Sequence, residues 1–254
     1  MKTLIHYSLV IALTLLTNCT VSNITEDSIT VSGINFLKIV KGNGNIRTKT
    51  HTTLDYHKVD IFGSMDVILE KGTEGTIRVT TDENIHQYVI IESNKGVLNI
   101  KIKNNVNINT RKSIRIKVPF TSLDNVYLTG SGYVLTNDQI KSDQFEAKMT
   151  GSGEMNLDVN RVDAKVIGSG DIKIIGTATD LKIKVTGSGY FDGGSLIAQN
   201  VEANVTGSGK ALVVAKSSIK ARVYGSGDIE YLGTPSASDN KVIGSGDIEG
   251  ENCC

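Results

Sequence analysis

Three aspartates, Asp171, Asp228 and Asp247, each directly follow a Gly-Ser-Gly tripeptide. Carboxylates repeated at equivalent places of a fold are what a retaining glycosidase needs, one as acid and one as nucleophile, about 5 Å apart. The same position in the other copies holds Tyr133, Glu154, Tyr190 and Lys210, so an acid is not required there. Beyond the leader the histidines are His51, His57 and His86, none beside a nucleophile it could activate, and no tryptophan is available to stack on sugars. Gly168-Ser169-Gly170-Asp171 resembles one turn of a calcium-binding nonapeptide roll, but the spacing here is far longer than nine residues. A phosphate loop would need a lysine and a following helix, and neither completes the motif. The expectation is a protein without catalytic residues, cofactor or metal, with a carbohydrate-active β-helix enzyme as an alternative.

A second set of residues suits binding. Three positions before each tripeptide stand Tyr127, Lys148, Lys165, Lys184, Asn204, Arg222 and Lys241. Stacked one above another, the five cations Lys148, Lys165, Lys184, Arg222 and Lys241 form a stripe about 25 Å long. Such a stripe suits an anionic glycan, a lipopolysaccharide phosphate or an acidic protein face. Two residues earlier lie Glu146, Asp163, Glu202 and Asp239, which would make the same surface an ordinary solvated strand face.

The element that positions both sets is a repeat. Gly-Ser-Gly begins at residues 130, 151, 168, 187, 207, 225 and 244, in steps of 21, 17, 19, 20, 18 and 19 residues. An elastic period of this length is expected of a solenoid whose loops tolerate insertion. Two residues before each first glycine stand Leu128, Met149, Val166, Val185, Val205, Val223 and Val242, and four before stand Val126, Ala147, Ala164, Ile183, Ala203, Ala221 and Asn240. Polar residues alternate with them, as in a strand with one buried face. The alternation resumes after the tripeptide with Val134, Met155, Ile172, Phe191, Ala211, Ile229 and Ile248. Each copy therefore reads as strand, corner, strand and variable loop. Glycine suits the corner through its access to positive φ and its lack of a side chain.

Upstream, Phe62-Gly63-Ser64-Met65 is a worn corner, and Gly42-Asn43-Gly44-Asn45-Ile46 looks like another. Residues 76–80, 88–92, 97–103 and 114–118 read as further strands, with a hairpin at Asn94-Lys95-Gly96. The 27 basic and 27 acidic residues cancel, so no global field draws the chain to nucleic acid. Met1, Lys2 and the apolar stretch from Leu4 to Leu16 describe an export signal over residues 1–18. Leu16-Thr17-Asn18-Cys19 is similar to a lipobox, which makes Cys19 the lipid attachment site and residues 19–32 a tether. Asn18 departs from the usual small residue there. Cys253 and Cys254 make no metal site of recognisable spacing and end a tail over residues 250–254.

GNGNI at 42–46, VDIFGSMDVILEKG at 59–72, TTDENIHQYV at 80–89 and IRIKVPFTSLDNVYLTGSG at 114–132, followed by the glycine-serine rungs, resemble the head GIN domain family of auto-transporter adhesins. The resemblance implies an all-β, right-handed parallel β-helix or solenoid over residues 33–249. Residues 33–123 would be less regular and 124–249 would carry the repeats. It also implies an exported lipoprotein of Bacteroidetes type, in the outer membrane and facing either the surface or the periplasm. The expected role is adhesion or binding of a glycan or an envelope or host protein, and the alternative is a structural or assembly part of the envelope.

Overall fold

The computed structural model describes residues 38–142, 144–159 and 162–252. The leader, the tether with Cys19, and Cys253 and Cys254 lie outside the described residues. The chain divides into two units, residues 1–41 with 104–109 and residues 42–103 with 110–254. In the first unit Lys38–Lys41 pairs in parallel with Val106–Asn109.

The larger unit is all-β, with a single three-residue 3₁₀ turn at His86–Tyr88 among the described residues. Its repeats stack in register. Asn125–Gly130 pairs with Phe145–Gly151, which pairs with Val162–Gly168, and first glycine meets first glycine at every step. The strands after the corner do the same, with Tyr133 beside Glu154 and Glu154 beside Asp171. All these pairings are parallel, so the larger unit is a β-solenoid.

Alternation then decides what is inside. Leu128, Met149, Val166, Val185, Val205 and Val223 are at most 1% exposed. The small residues Ala147, Ala164, Ala203 and Ala221 before the corners and Met155, Ile172, Phe191 and Ile229 after them are all buried. In the final rung every residue of Ala237–Gly244 is exposed, including Val242 and the Asn240 that replaces the small apolar residue. A polar last rung is what a solenoid end facing water requires.

Three of the loops expected between repeats are instead continuous strand, while those at 137–142 and 233–236 are present. Asp171–Gly187, Tyr190–Gly207 and Lys210–Gly225 each run from one corner to the next. The varying period is absorbed by irregularities within them. Between Asp192 and Ile197 the chain takes five steps while its neighbour takes two, from Leu212 to Val214. Gly193 and Gly194 fall in that bulge, where an added residue leaves the ladder locally unpaired.

The worn corner at Gly63 takes its expected place, but the order of rungs does not follow the chain. Lys58–Phe62 pairs on one side with Asn125–Gly130 and on the other with Val97–Ile102. Asp66–Lys71 is likewise held between Tyr133–Thr136 and Arg115–Phe120. The strands expected near 97–103 and 114–118 are thus a rung without a corner, lying on the far side of the first one. The hairpin at 94–96 joins Val89–Asn94 to Val97–Ile102, with Lys95 and Gly96 at φ of 50° and 77°.

Gly42 to Ile46 is not a stacked corner. Ile46–Thr52 pairs antiparallel with Thr76–Asp82. The glycine-asparagine loop folds onto the next turn, where the Asp82 carboxylate accepts the Gly44 amide at 2.5 Å and Asn84 Oδ1 accepts that of Asn43 at 3.0 Å. Glycines at such a loop and at a stacked corner look alike in sequence because both need open backbone space.

Candidate functional site

The strand before each corner presents its outward residues as one wall. The column three before the corner runs Asp60, Tyr127, Lys148, Lys165, Lys184, Asn204, Arg222 and Lys241, each directly beside the next. The five sequence-predicted cations therefore share one column, and Asn204 breaks it into three and two. The adjacent outward column runs Lys58, Asn125, Glu146, Asp163, Lys182, Glu202, Lys220 and Asp239.

Ion pairing differs along the wall. Arg222 Nη2 lies 2.5 Å from Asp239 Oδ2, and its other nitrogen donates to the Asp239 carbonyl. That hydrogen bond holds the Asp239 carboxyl below its usual range and raises Arg222. Glu202 bridges Lys182 and Lys220, each at 3.6 Å. Among the described residues no carboxylate pairs with Lys165 or Lys184. Lys148 lies 5.7 Å from the centroid of the Tyr127 ring, a cation over an aromatic face.

Below Lys148 is a network that reading the sequence for cations alone had missed. The Tyr127 hydroxyl donates to Glu146 Oε2, and the Asn125 amide donates to Glu146 at 3.0 Å and to Tyr127 at 2.9 Å. Burial, then the bond to Glu146, pushes the Tyr127 phenol up to about 12. Burial also raises Asp60, against the pull of Lys58 and Lys148. The signal was present in the worn repeat, since aligning Gly63 with the later corners puts Asp60 next in the column. Beside this network a groove of about 630 Å³ is lined by Lys58, Asn125, Lys141, Gln144, Glu146 and Asp163.

The aspartates after the corners have structural partners. Asp171 Oδ1 accepts the amide of Tyr190 on the next rung at 3.2 Å, and Asp228 Oδ1 accepts that of Asp247 at 3.3 Å. Asp228 also pairs with Lys210 at 3.2 Å, and Asp247 accepts the Ile248 amide at 2.8 Å. The carboxylates of Asp171 and Asp228 thus tie rung to rung, while that of Asp247 bonds within its own strand.

His86 is 5% exposed and donates from Nε2 to the Arg47 carbonyl at 3.1 Å, leaving Nδ1 unpaired. The Nε2 of His51 is also buried without a partner. Burial lowers both histidines, and His51 is lowered further by His86 and Lys49. Among the described residues no group of three histidine, cysteine or acidic side chains could hold a metal. No helix among them is long and apolar enough to cross a membrane.

A parallel solenoid with one wall of stacked, partly unpaired cations places the chain among the β-solenoid repeat proteins. The model of the family described as "Putative auto-transporter adhesin, head GIN domain" matches residues 55–235, and the chain belongs to that family. Among solved structures it is similar to a putative adhesin from Bacteroides fragilis, with a TM-score of 0.79 and 22% identity over 84% of this chain and 100% of that one. A putative lipid binding protein from Parabacteroides distasonis has a TM-score of 0.71 and 28% identity, again over 84% of this chain and 100% of that one. A putative adhesin from Parabacteroides merdae has a TM-score of 0.67 and 25% identity over 84% and 99%. A comparison with curated proteins finds no match.

Proposed function

We propose that the chain is a non-catalytic, envelope-anchored binding protein that acts in adhesion, with a lipid on Cys19 as its anchor and the outward wall of the solenoid as its contact surface. The observation that carries this reading is the wall itself. A parallel sheet presents side chains at a fixed repeat, and Lys165 and Lys184 stand on it without carboxylate partners, next to Lys148 in the same column. Family membership and the adhesin neighbours support a binding role at a coarse level. The outer-membrane location and the lipid anchor rest on the leader and Cys19. The absence of catalysis is supported by the engagement of the Asp171 and Asp228 carboxylates in inter-rung bonds and of the Asp247 carboxylate with the Ile248 amide.

Protease treatment of intact cells tests the location, with cleavage of the protein expected and complete shielding contradicting it. Crosslinking on the same cells tests the role. Capture of extracellular or host partners is expected, whereas capture of envelope proteins alone would favour a structural part of the envelope. Polysaccharide digests monitored for new reducing ends are expected to stay flat.

A further inference from the structure

We infer that the ladder Lys148, Lys165 and Lys184 is the binding track of a linear polyanionic glycan, one that carries an acidic group on each sugar and lies along the stacking direction of the rungs. The inference rests on the adhesin-type reading above and names the ligand class for its wall.

Register comes first. Lys148 is directly beside Lys165, and Lys165 directly beside Lys184, in uninterrupted parallel ladders. Neighbouring strands are about 4.8 Å apart, so the three ammonium groups repeat at that step over about 10 Å. Like charges directly opposite one another in a sheet are destabilising, and Lys165 and Lys184 have no internal counter-charge to relieve this. Elsewhere on the same wall the chain does supply relief, since Glu202 serves Lys182 and Lys220, and Asp239 serves Arg222. Lys165 and Lys184 are therefore an unneutralised pair, bounded by Asn204 on one side and on the other by Lys148, which feels Asp60 and lies over the Tyr127 ring.

Extended polysaccharides of acidic sugars advance by a comparable step per residue, so a carboxylate or sulfate can meet each lysine in turn. A single compact phosphate spans at most two neighbouring lysines. The surroundings suit sugar rather than bare charge. At the Tyr127 end lie an aromatic ring with a polar tip, the Asn125 amide and the Glu146 carboxylate, beside the 630 Å³ groove. Hydroxyls of a sugar can donate to Glu146 there.

The test uses the whole exported chain and defined oligogalacturonates of increasing length, with a methyl-esterified polygalacturonate as the uncharged control. Calorimetry is expected to show salt-sensitive binding that strengthens up to about three charged residues and then levels off, with no binding of the ester. Lys165→Glu is expected to weaken binding about tenfold or more, and Lys184→Ala by several fold, with thermal unfolding unchanged or raised as the like-charge repulsion is relieved. Arg222→Ala and Lys241→Ala are expected to stay within about twofold, because one cation is already paired and both lie beyond Asn204.

Failure of every acidic oligomer and of a sulfated counterpart to bind would overturn the inference, as would equal effects of the Lys165 and Arg222 variants. Preference for vesicles containing anionic lipid over the glycan would assign the ladder to a lipid surface instead. Salt-sensitive self-association lost in Lys165→Glu would assign it to the acidic wall of a second copy. If cells carrying Lys165→Glu still adhere, the adhesin reading stands and the glycan track falls; if the protein is shielded on cells but binds the oligomers, the reverse holds.

Discussion

The carbonyl oxygen of Gly187 lies 2.6 Å from the point a Cβ on Gly207 would occupy, and Gly207 itself sits at φ 108°. The second glycine of the same corner is excluded from carrying a side chain just as firmly, since a Cβ on Gly209 would be 2.6 Å from both the Gly189 carbonyl and Val185 Cγ1. Each corner is thus molded on the one before it. Gly207→Ala is expected to cost at least about 2 kcal/mol, through strain at positive φ and a backbone clash that cannot relax singly. The exposed Ser208→Ala should cost less than about 0.5 kcal/mol. Chemical denaturation of the two variants checks the contrast, and equal effects would count against the stacked corner.

Phe191 is fully buried in the solenoid interior. Phe191→Ala is expected to lower stability by about 3–5 kcal/mol, through the cavity that removal of a buried ring leaves. An Ala203→Leu change at a buried small position should also destabilise, by about 1–3 kcal/mol, because a packed interior has no spare volume. Thermal unfolding of both, compared with the parent, provides the measurement.

Acid should loosen the region around Ile46–Thr52. His51 and His86 are both held below the ordinary histidine value, first by burial and, for His51, also by its histidine neighbour and Lys49. Around His86, Lys49 pulls the same way, while the Arg47 carbonyl and Glu83 partly oppose. A depressed histidine binds protons more readily when unfolded, so its stabilisation is full above about pH 6.5 and is lost as pH falls below it toward the folded values. Unfolding followed from about pH 7.5 to 5.5 is expected to show falling stability, with a shallower fall in a His51→Gln, His86→Gln double variant. Identical slopes would show that the two histidines do not carry the effect.

The Tyr127 phenol should titrate late. Its pKa of about 12 comes from burial and from donation to Glu146. Glu146→Gln removes the charged acceptor and is expected to move the phenol back toward the ordinary value of about 10. Ultraviolet titration of the variant against the parent reads this directly. The stabilisation is complete below the unfolded value and disappears as pH rises through the folded one, so no change is expected near neutrality.

Much of this architecture is legible in the chain because its main constraint is written in glycine. Gly-Ser-Gly fixes the corner, the alternation around Val185 and Ala203 fixes the inward face, and aligning the corners brings Lys148, Lys165 and Lys184 into one column. Three things were not legible. Pairing among the cations depends on which of Glu202 and Asp239 reaches which neighbour, a choice among side-chain rotamers that alignment does not contain. Met65 was read as a worn glycine, but it is buried, and a Cβ on Gly63 would meet only Met65 Cε and Ile102 Cγ1 at ordinary distances. With no corner stacked on that side, the spatial requirement for a second glycine disappears. The loop at Gly42 failed for the opposite reason: its glycines answer to Asp82 rather than to another corner.

The position of Lys58–Phe62 between Val97–Ile102 and Asn125–Gly130 sets a schedule for assembly. A chain emerging from a pore in order of synthesis exposes this strand with both edges bare until segments about 40 and then about 70 residues later have followed. The later rungs face no such delay, because each needs only the one just made. The earliest corner in the sequence thus waits longest for its neighbours, and the longest exposure to foreign strands or chaperones falls on residues 58–71 rather than on the regular repeats.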